Sequence, residues 1–163
     1  MKVKVSKDKL VQMWNALSEI GKGKTKVKFS YAVARNKSII EPEIKALTEA
    51  QKLVPEYQEY DTERLKMCRE MAKKDENGAP KMLGVEFDIE DREAFDKKVE
   101  KLQKKHKKVI DEQKLRIDQF NELIKEEIEI DFYTIKAEFL PEDIEANYLE
   151  LMMDFIDGEP GDV

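Results

Sequence analysis

Gly21-Lys22-Gly23-Lys24-Thr25 carries the letters of a phosphate-binding loop and is the first stretch whose residue types suggest chemistry. Such a loop follows a buried apolar strand and wraps phosphate with backbone N–H groups, which requires an additional glycine ahead of the Gly-Lys-[Ser/Thr] ending. Here helical spacing precedes the loop and that glycine is missing, so nucleotide binding is not expected. Asp75-Glu76-Asn77 resembles the opening of a calcium loop, and the closing position falls on Glu86. The intermediate ligand positions fall on Asn77 and Ala79, however, and the set is out of register. His106 has no second histidine or cysteine beside it and falls on the apolar side between Leu102 and Val109, so it reads as a packing residue and not as a metal ligand. Cys68 is the only cysteine, excludes an internal disulfide, and sits at helical spacing from Leu65 and Ala72 as a half-buried hydrophobe. With 36 Asp and Glu residues, carboxylate pairs arise from composition alone, and none stands out as an acid and base. No catalytic residue, cofactor or metal ligand is assigned, and the expectation is a protein that is not an enzyme.

The remaining chemical feature is basic. Lys97, Lys98, Lys101, Lys104, Lys105, Lys107 and Lys108 cluster between Asp96 and Ile110, spread around a helix with no aromatic among them to stack on bases. A solvated face paired to acids is preferred over a surface that tracks phosphates. The candidate partner surface is Lys97, Lys101, Lys104, Lys105 and Lys108, together with Arg35 and Asn36.

These residues ride on the stretch 89–126, which lacks proline and glycine and repeats Phe95, Val99, Leu102, Val109, Ile110, Ile117, Phe120 and Ile124 at helical spacing. As one helix it would run about 55 Å and need a partner along its length. Asp88 is the expected N-cap. Residues 28–74 supply that partner through Phe29, Val33, Ile40, Ile44, Leu47, Val54 and Leu65, with kinks or short breaks expected at Pro42 and Pro55. The alternation Val27, Phe29, Tyr31, Val33 also allows a strand, and helix is preferred. Ser6 caps a first helix whose stripe includes Leu10, Trp14 and Leu17, and Gly21 ends it in a left-handed conformation. Asn77-Gly78-Ala79-Pro80 makes a turn.

Strands are expected at 1–5, 83–87 and 127–139, the last bent or bulged near Tyr133-Thr134. Lys2 and Lys4 should face Glu129 and Asp131 across a ladder. Leu140-Pro141-Glu142 opens a last helix over about 142–156, and an acidic tail, 157–163, should be disordered. The fold class is α+β and mostly α: one domain, 1–156, made of a long antiparallel, coiled-coil-like helical hairpin, short flanking helices and a small sheet of about three strands.

Length and composition agree. The 163 residues suit one domain, and charged residues at 40% favour long solvent-laced helices over a deep-pocketed α/β enzyme. The N-terminal 28 residues carry almost only lysine and the chain beyond Glu126 almost only acid, so the two ends should attract each other within the fold or between subunits. No apolar run reaches membrane-spanning length and no leader is read, so a cytoplasmic protein is expected.

One order of motifs is distinctive: Ala34-Arg35-Asn36 on a helix, the Lys-Lys-Asp-Glu-Asn-Gly-x-Pro turn at 73–80, Glu-Ile-Glu-Ile-Asp-Phe-Tyr-Thr-Ile-Lys at 127–136, and Leu140-Pro141-Glu142-Asp143-Ile144. From about residue 28 to 156 it resembles small proteins encoded by tailed bacteriophages and prophages, in families of unknown function. The resemblance implies a viral origin and a bacterial host cytoplasm, and it carries over no catalytic residues. The expected function is a non-enzymatic accessory factor that binds a host or viral protein, in its sharpest form an inhibitor of a host or defence protein. A nucleic-acid-associated protein using the lysine-rich helix, and a virion-assembly chaperone or scaffold, are the alternatives. A homodimer suits long helices over a thin core, and no membrane partner is expected.

Overall fold

Helix predominates in the computed structural model, which describes residues 1–158. In chain order the elements are β1 (Lys2–Ser6), α1 (Lys7–Ile20), α2 (Val27–Ala50), α3 (Pro55–Met71), β2 (Met82–Leu83), β3 (Glu86–Phe87), α4 (Arg92–Lys105), α5 (Lys107–Leu123), β4 (Glu127–Asp131), β5 (Ile135–Lys136), α6 (Ala146–Met152) and β6 (Ile156–Asp157). The chain divides into two compact units, one of Met1–Gln51 with Gln119–Val163 and one of Lys52–Asp118.

In the first unit, alternating Lys and Val residues form β1, which pairs antiparallel with β4 in the register Lys2↔Asp131, Lys4↔Glu129 and Val5↔Ile128. Bases thus face acids on one side while Val5 turns into the core. The attraction between the charged ends is realised within the fold. The Met1 ammonium lies 2.9 Å from Asp131, Lys2 3.0 Å from Glu129, and Lys7 2.9 Å from Glu126 and 3.5 Å from Glu43, while Lys9 pairs with Asp154. Ser6 caps α1 as expected, its hydroxyl accepting from the Lys9 N–H at 3.2 Å. Gly21 follows α1 with φ −64°, right-handed and not left-handed, because a run of turn hydrogen bonds, Lys22 N–H to Glu19 and Gly23 N–H to Ile20, continues the helical sense.

Leu10, Met13 and Leu17 of α1 meet Phe29, Val33 and Ile40 of α2 in one core, completed by Phe132, Ile135, Met152 and Phe155. The Phe132 and Phe155 rings stack at 4.7 Å. Trp14 packs half-buried at the edge of this core, with the Lys37 ammonium 4.7 Å over its ring. Val27 to Val33 is helix, and α2 runs through Pro42 without a break.

The sheet differs from expectation. In place of one sheet of about three strands, the described residues form three two-stranded pairs, β1-β4, β2-β3 and β5-β6. The bend foreseen at Tyr133-Thr134 is a complete strand break; beyond it β5 runs parallel to β6, with Ile135 beside Ile156. The rest of the expected strand 127–139 becomes a 3-10 turn, Ala137–Phe139. The last helix starts at Ala146 and not at 142, because Pro141 opens a turn in which its carbonyl accepts the Ile144 N–H. Asp157 is in β6 and not in the expected tail; residues 159–163 of that tail lie outside the described residues.

The ion pairs set a pH window. A hydrogen bond to Glu126 raises the Lys7 pKa above its usual value, so this contribution is present below the ordinary lysine range and is lost as pH rises through the folded value. A hydrogen bond from the Met1 ammonium lowers the Asp131 pKa, and one from Lys105 lowers that of Glu63, so these contributions are present above the ordinary carboxylate range and are lost as pH falls through the folded values. Urea midpoints measured across pH should therefore plateau near neutrality and fall at both extremes. A midpoint that rises on acidification would contradict these pairings.

In the second unit, Pro55 breaks the expected first arm. It occupies the first turn of α3, where its missing N–H costs nothing, and holds Val54 extended at ψ 134°. The Val54 N–H donates to the buried Gln113 Oε1 at 3.0 Å. The single hairpin with arms 28–74 and 89–126 is therefore not formed as one body: α2 packs on α1 in the first unit, while α3 packs on α4 in the second. The organising helix also starts later, at Arg92. Asp91 caps it by accepting the Ala94 N–H at 3.0 Å, and Asp88 pairs instead with Lys73 at 3.2 Å. It breaks at His106, whose φ of −105° and ψ of 17° separate α4 from α5.

The turn at 75–79 forms as expected: one Asp75 carboxylate oxygen accepts the N–H groups of Asn77 and Ala79, both at 2.9 Å, and Gly78 takes φ +77°. The expected strand 83–87 folds back on itself as β2 and β3 around Gly84, whose φ of +63° suits a residue without Cβ.

Candidate functional site

The basic cluster is largely engaged in ion pairs. Lys97 pairs with Glu93 and Lys104 with Glu100, each at 2.6 Å and one helical turn apart, and Lys105 holds both Glu63 oxygens at 3.0 Å. Lys101 and Lys108 are exposed without a carboxylate partner among the described residues. His106 packs as expected. Its ring lies 5.5 Å from that of Tyr60, and Nε2 approaches Glu63 to 3.3 Å yet makes no aligned hydrogen bond. Cys68 is buried.

Arg35 is exposed, but Asn36 is not a surface residue. Its exposure is 0%, and its amide makes two hydrogen bonds to the backbone of Tyr133: Nδ2 donates to the carbonyl at 2.9 Å, and Oδ1 accepts the N–H at 2.7 Å. Tyr133 sits at the break between β4 and β5, where no strand ladder can use those groups, and the amide of Asn36 takes the ladder's place.

This anchor builds one wall of a cavity in the first unit. Val27, Tyr31 and Ala32 of α2 form one wall; Tyr133, Ile135 and Phe139 form the other, enclosing about 590 Å³. Ala32 and Ile135, at 2% and 1% exposure, close the floor, while Val27 at 84%, Tyr31 at 55% and Tyr133 at 41% stand open at the rim. The two tyrosines meet edge to face at 5.7 Å, and the Lys28 ammonium sits 4.4 Å over the Phe139 ring. Lys26 donates to the Glu138 carbonyl at 3.2 Å. The groove has the size and mixed lining of a recognition site, with no paired acid and base or activated nucleophile in its walls.

The sequence motifs for phosphate do not lead to an anion site. Gly23, Lys24 and Thr25 border a separate cavity that they share with Glu19, Asp143 and Glu145, whose carboxylates repel phosphate. Among the described residues no group of three or more His, Cys, Asp and Glu side chains is placed to hold a metal ion, and no helix is long and apolar enough to cross a membrane.

The groove escapes sequence reasoning because its walls lie about a hundred positions apart. The available signal was Tyr31 and Val27, which fall off the Phe29–Val33 core stripe yet are apolar. No family model matches the chain, and no curated protein or solved structure matches it.

Proposed function

We propose that this protein works by non-enzymatic protein–protein contact and that its docking surface is the groove between Tyr31 and Tyr133. The observation that carries the reading is the exposure of large apolar side chains around one cavity: Val27, Tyr31 and Tyr133 are all open to solvent beside a buried floor. Rigid aromatic side chains around a pocket are the usual anchors of protein interfaces. The resemblance of the motif order to phage proteins is what supports the narrower form, an accessory factor that binds a host or defence protein in the bacterial cytoplasm. Nucleic-acid binding through α4 is the weaker reading, because three of its candidate lysines already hold carboxylates.

The test uses the intact chain and a Tyr31→Ala/Tyr133→Ala chain as baits in bacterial lysate, each with and without nuclease. One stoichiometric protein retained by the first bait, insensitive to nuclease and absent from the second, is the expected result. Recovery that disappears with nuclease would overturn the proposal, as would equal recovery on both baits.

A further inference from the structure

We infer that the groove recognises a linear acidic peptide segment that lays a bulky apolar side chain beside the packed Tyr31–Tyr133 pair, over Ala32 and Ile135; the inference rests on the docking reading above and specifies its partner. The charge distribution carries it. In this unit Lys2, Lys7, Lys9, Lys22, Lys45 and Lys125 each face a carboxylate. Lys4, Lys24, Lys26, Lys28, Lys37 and Lys136 have none within ion-pair distance among the described residues. Lys26, Lys28 and Lys136 stand at the groove, with Lys24 two residues before Lys26. Lys28 lies over an aromatic face and Lys26 on a backbone carbonyl, so both ammoniums keep donors for an incoming acid.

Glu138 lines the same groove, and Asp157 lies in register with Lys136, so the local balance is three bases, Lys26, Lys28 and Lys136, to two acids in a chain of net charge −6. The apolar floor of Ala32 and Ile135 takes a side chain, and the lysines take the flanking carboxylates. Steering by opposite charge adds association rate and selects against basic partners.

A single-stranded nucleic acid also seeks lysines beside aromatics. The edge-to-face packing of Tyr31 and Tyr133 and the Lys28 ammonium over Phe139 reduce the ring faces open for base stacking. Glu138 in the groove would repel a phosphate backbone running past it, whereas a peptide can space its acids around it.

The experiment selects displayed random linear peptides against the full chain. Enriched sequences are then synthesised with a fluorescein label and titrated against the intact protein, Tyr31→Ala and Lys28→Glu, beside labelled oligothymidylate. Tyr31 is exposed, and circular dichroism verifies that both variants are folded. The expected result is enrichment of Leu, Phe or Trp flanked by Asp and Glu, with affinity falling at least about tenfold in each variant and weakening with salt. Groove-dependent peptides without acids would overturn the acidic partner and leave docking at the groove standing. Absence of any peptide sensitive to Tyr31→Ala would overturn both. Oligothymidylate binding sensitive to Tyr31→Ala and Lys28→Glu would overturn the peptide in favour of a nucleic-acid strand.

Discussion

Replacing Asn36 by leucine should lower the unfolding free energy by about 2–4 kcal/mol, a large loss for a helical side chain that touches no ligand. Leucine keeps the branching and heavy-atom count of asparagine but is bulkier, so some overpacking adds to the loss. What disappears is the pair of hydrogen bonds that satisfies the Tyr133 N–H and carbonyl at a strand break, and each backbone group left without a partner costs about 1–3 kcal/mol. Asn36→Asp separates the two bonds: the carboxylate still accepts the Tyr133 N–H, but nothing donates to the carbonyl and a charge is buried at a fully enclosed position. It should be at least as damaging as leucine. Urea denaturation measures both. A loss below about 0.5 kcal/mol for Asn36→Leu, the scale of an ordinary surface change, would mean that the amide does not hold the break. Because Tyr133 is a wall of the groove, the same substitution should also weaken the peptide binding proposed above.

The second large effect belongs to Phe155. It is fully buried, stacks on Phe132 at 4.7 Å, and sits in the 3-10 turn just before β6. Phe155→Ala should cost about 3–5 kcal/mol, through lost transfer energy and the cavity left behind. Phe155→Leu should cost much less, because most of the volume is kept. Val85→Ala provides the control, since Val85 is 95% exposed at the tip of the β2-β3 turn and should change stability by less than about 0.5 kcal/mol. Equal losses for Phe155→Ala and Val85→Ala in the same urea experiment would contradict the assignment of Phe155 to the core.

Local rules explain which parts of the fold were legible in the sequence. The Ser6 cap, the Asn77-Gly78 turn and the entry of Pro55 into α3 each depend on a few adjacent residues. The β1-β4 pairing was legible from afar because the alternating lysines of β1 match a strand whose alternate residues, Glu127, Glu129 and Asp131, are all acidic. The break at His106 carries no glycine or proline to announce it, so the periodicity of 89–126 reads as a single helix although the backbone turns there. Asn36 was assigned to the surface because an asparagine among helical polar residues is ordinarily solvated; its partner lies 97 positions away. The groove was hidden for the same reason. Each of its walls reads as an amphipathic segment by itself, and only tertiary structure leaves Tyr31 and Tyr133 facing each other.

The division of the chain also orders events during synthesis. Residues Lys52–Asp118 form a contiguous unit inserted between the two stretches that make the other one. On the ribosome this insert emerges ahead of β4, whereas β1, made first, has no strand partner until β4 follows. An insert already collapsed at that moment replaces a long flexible loop by a short effective one, and so reduces the entropy lost when β1 and β4 close. Until then Val3 and Val5 wait beside the lysines Lys2 and Lys4, whose charge discourages a nascent strand from pairing with its neighbours.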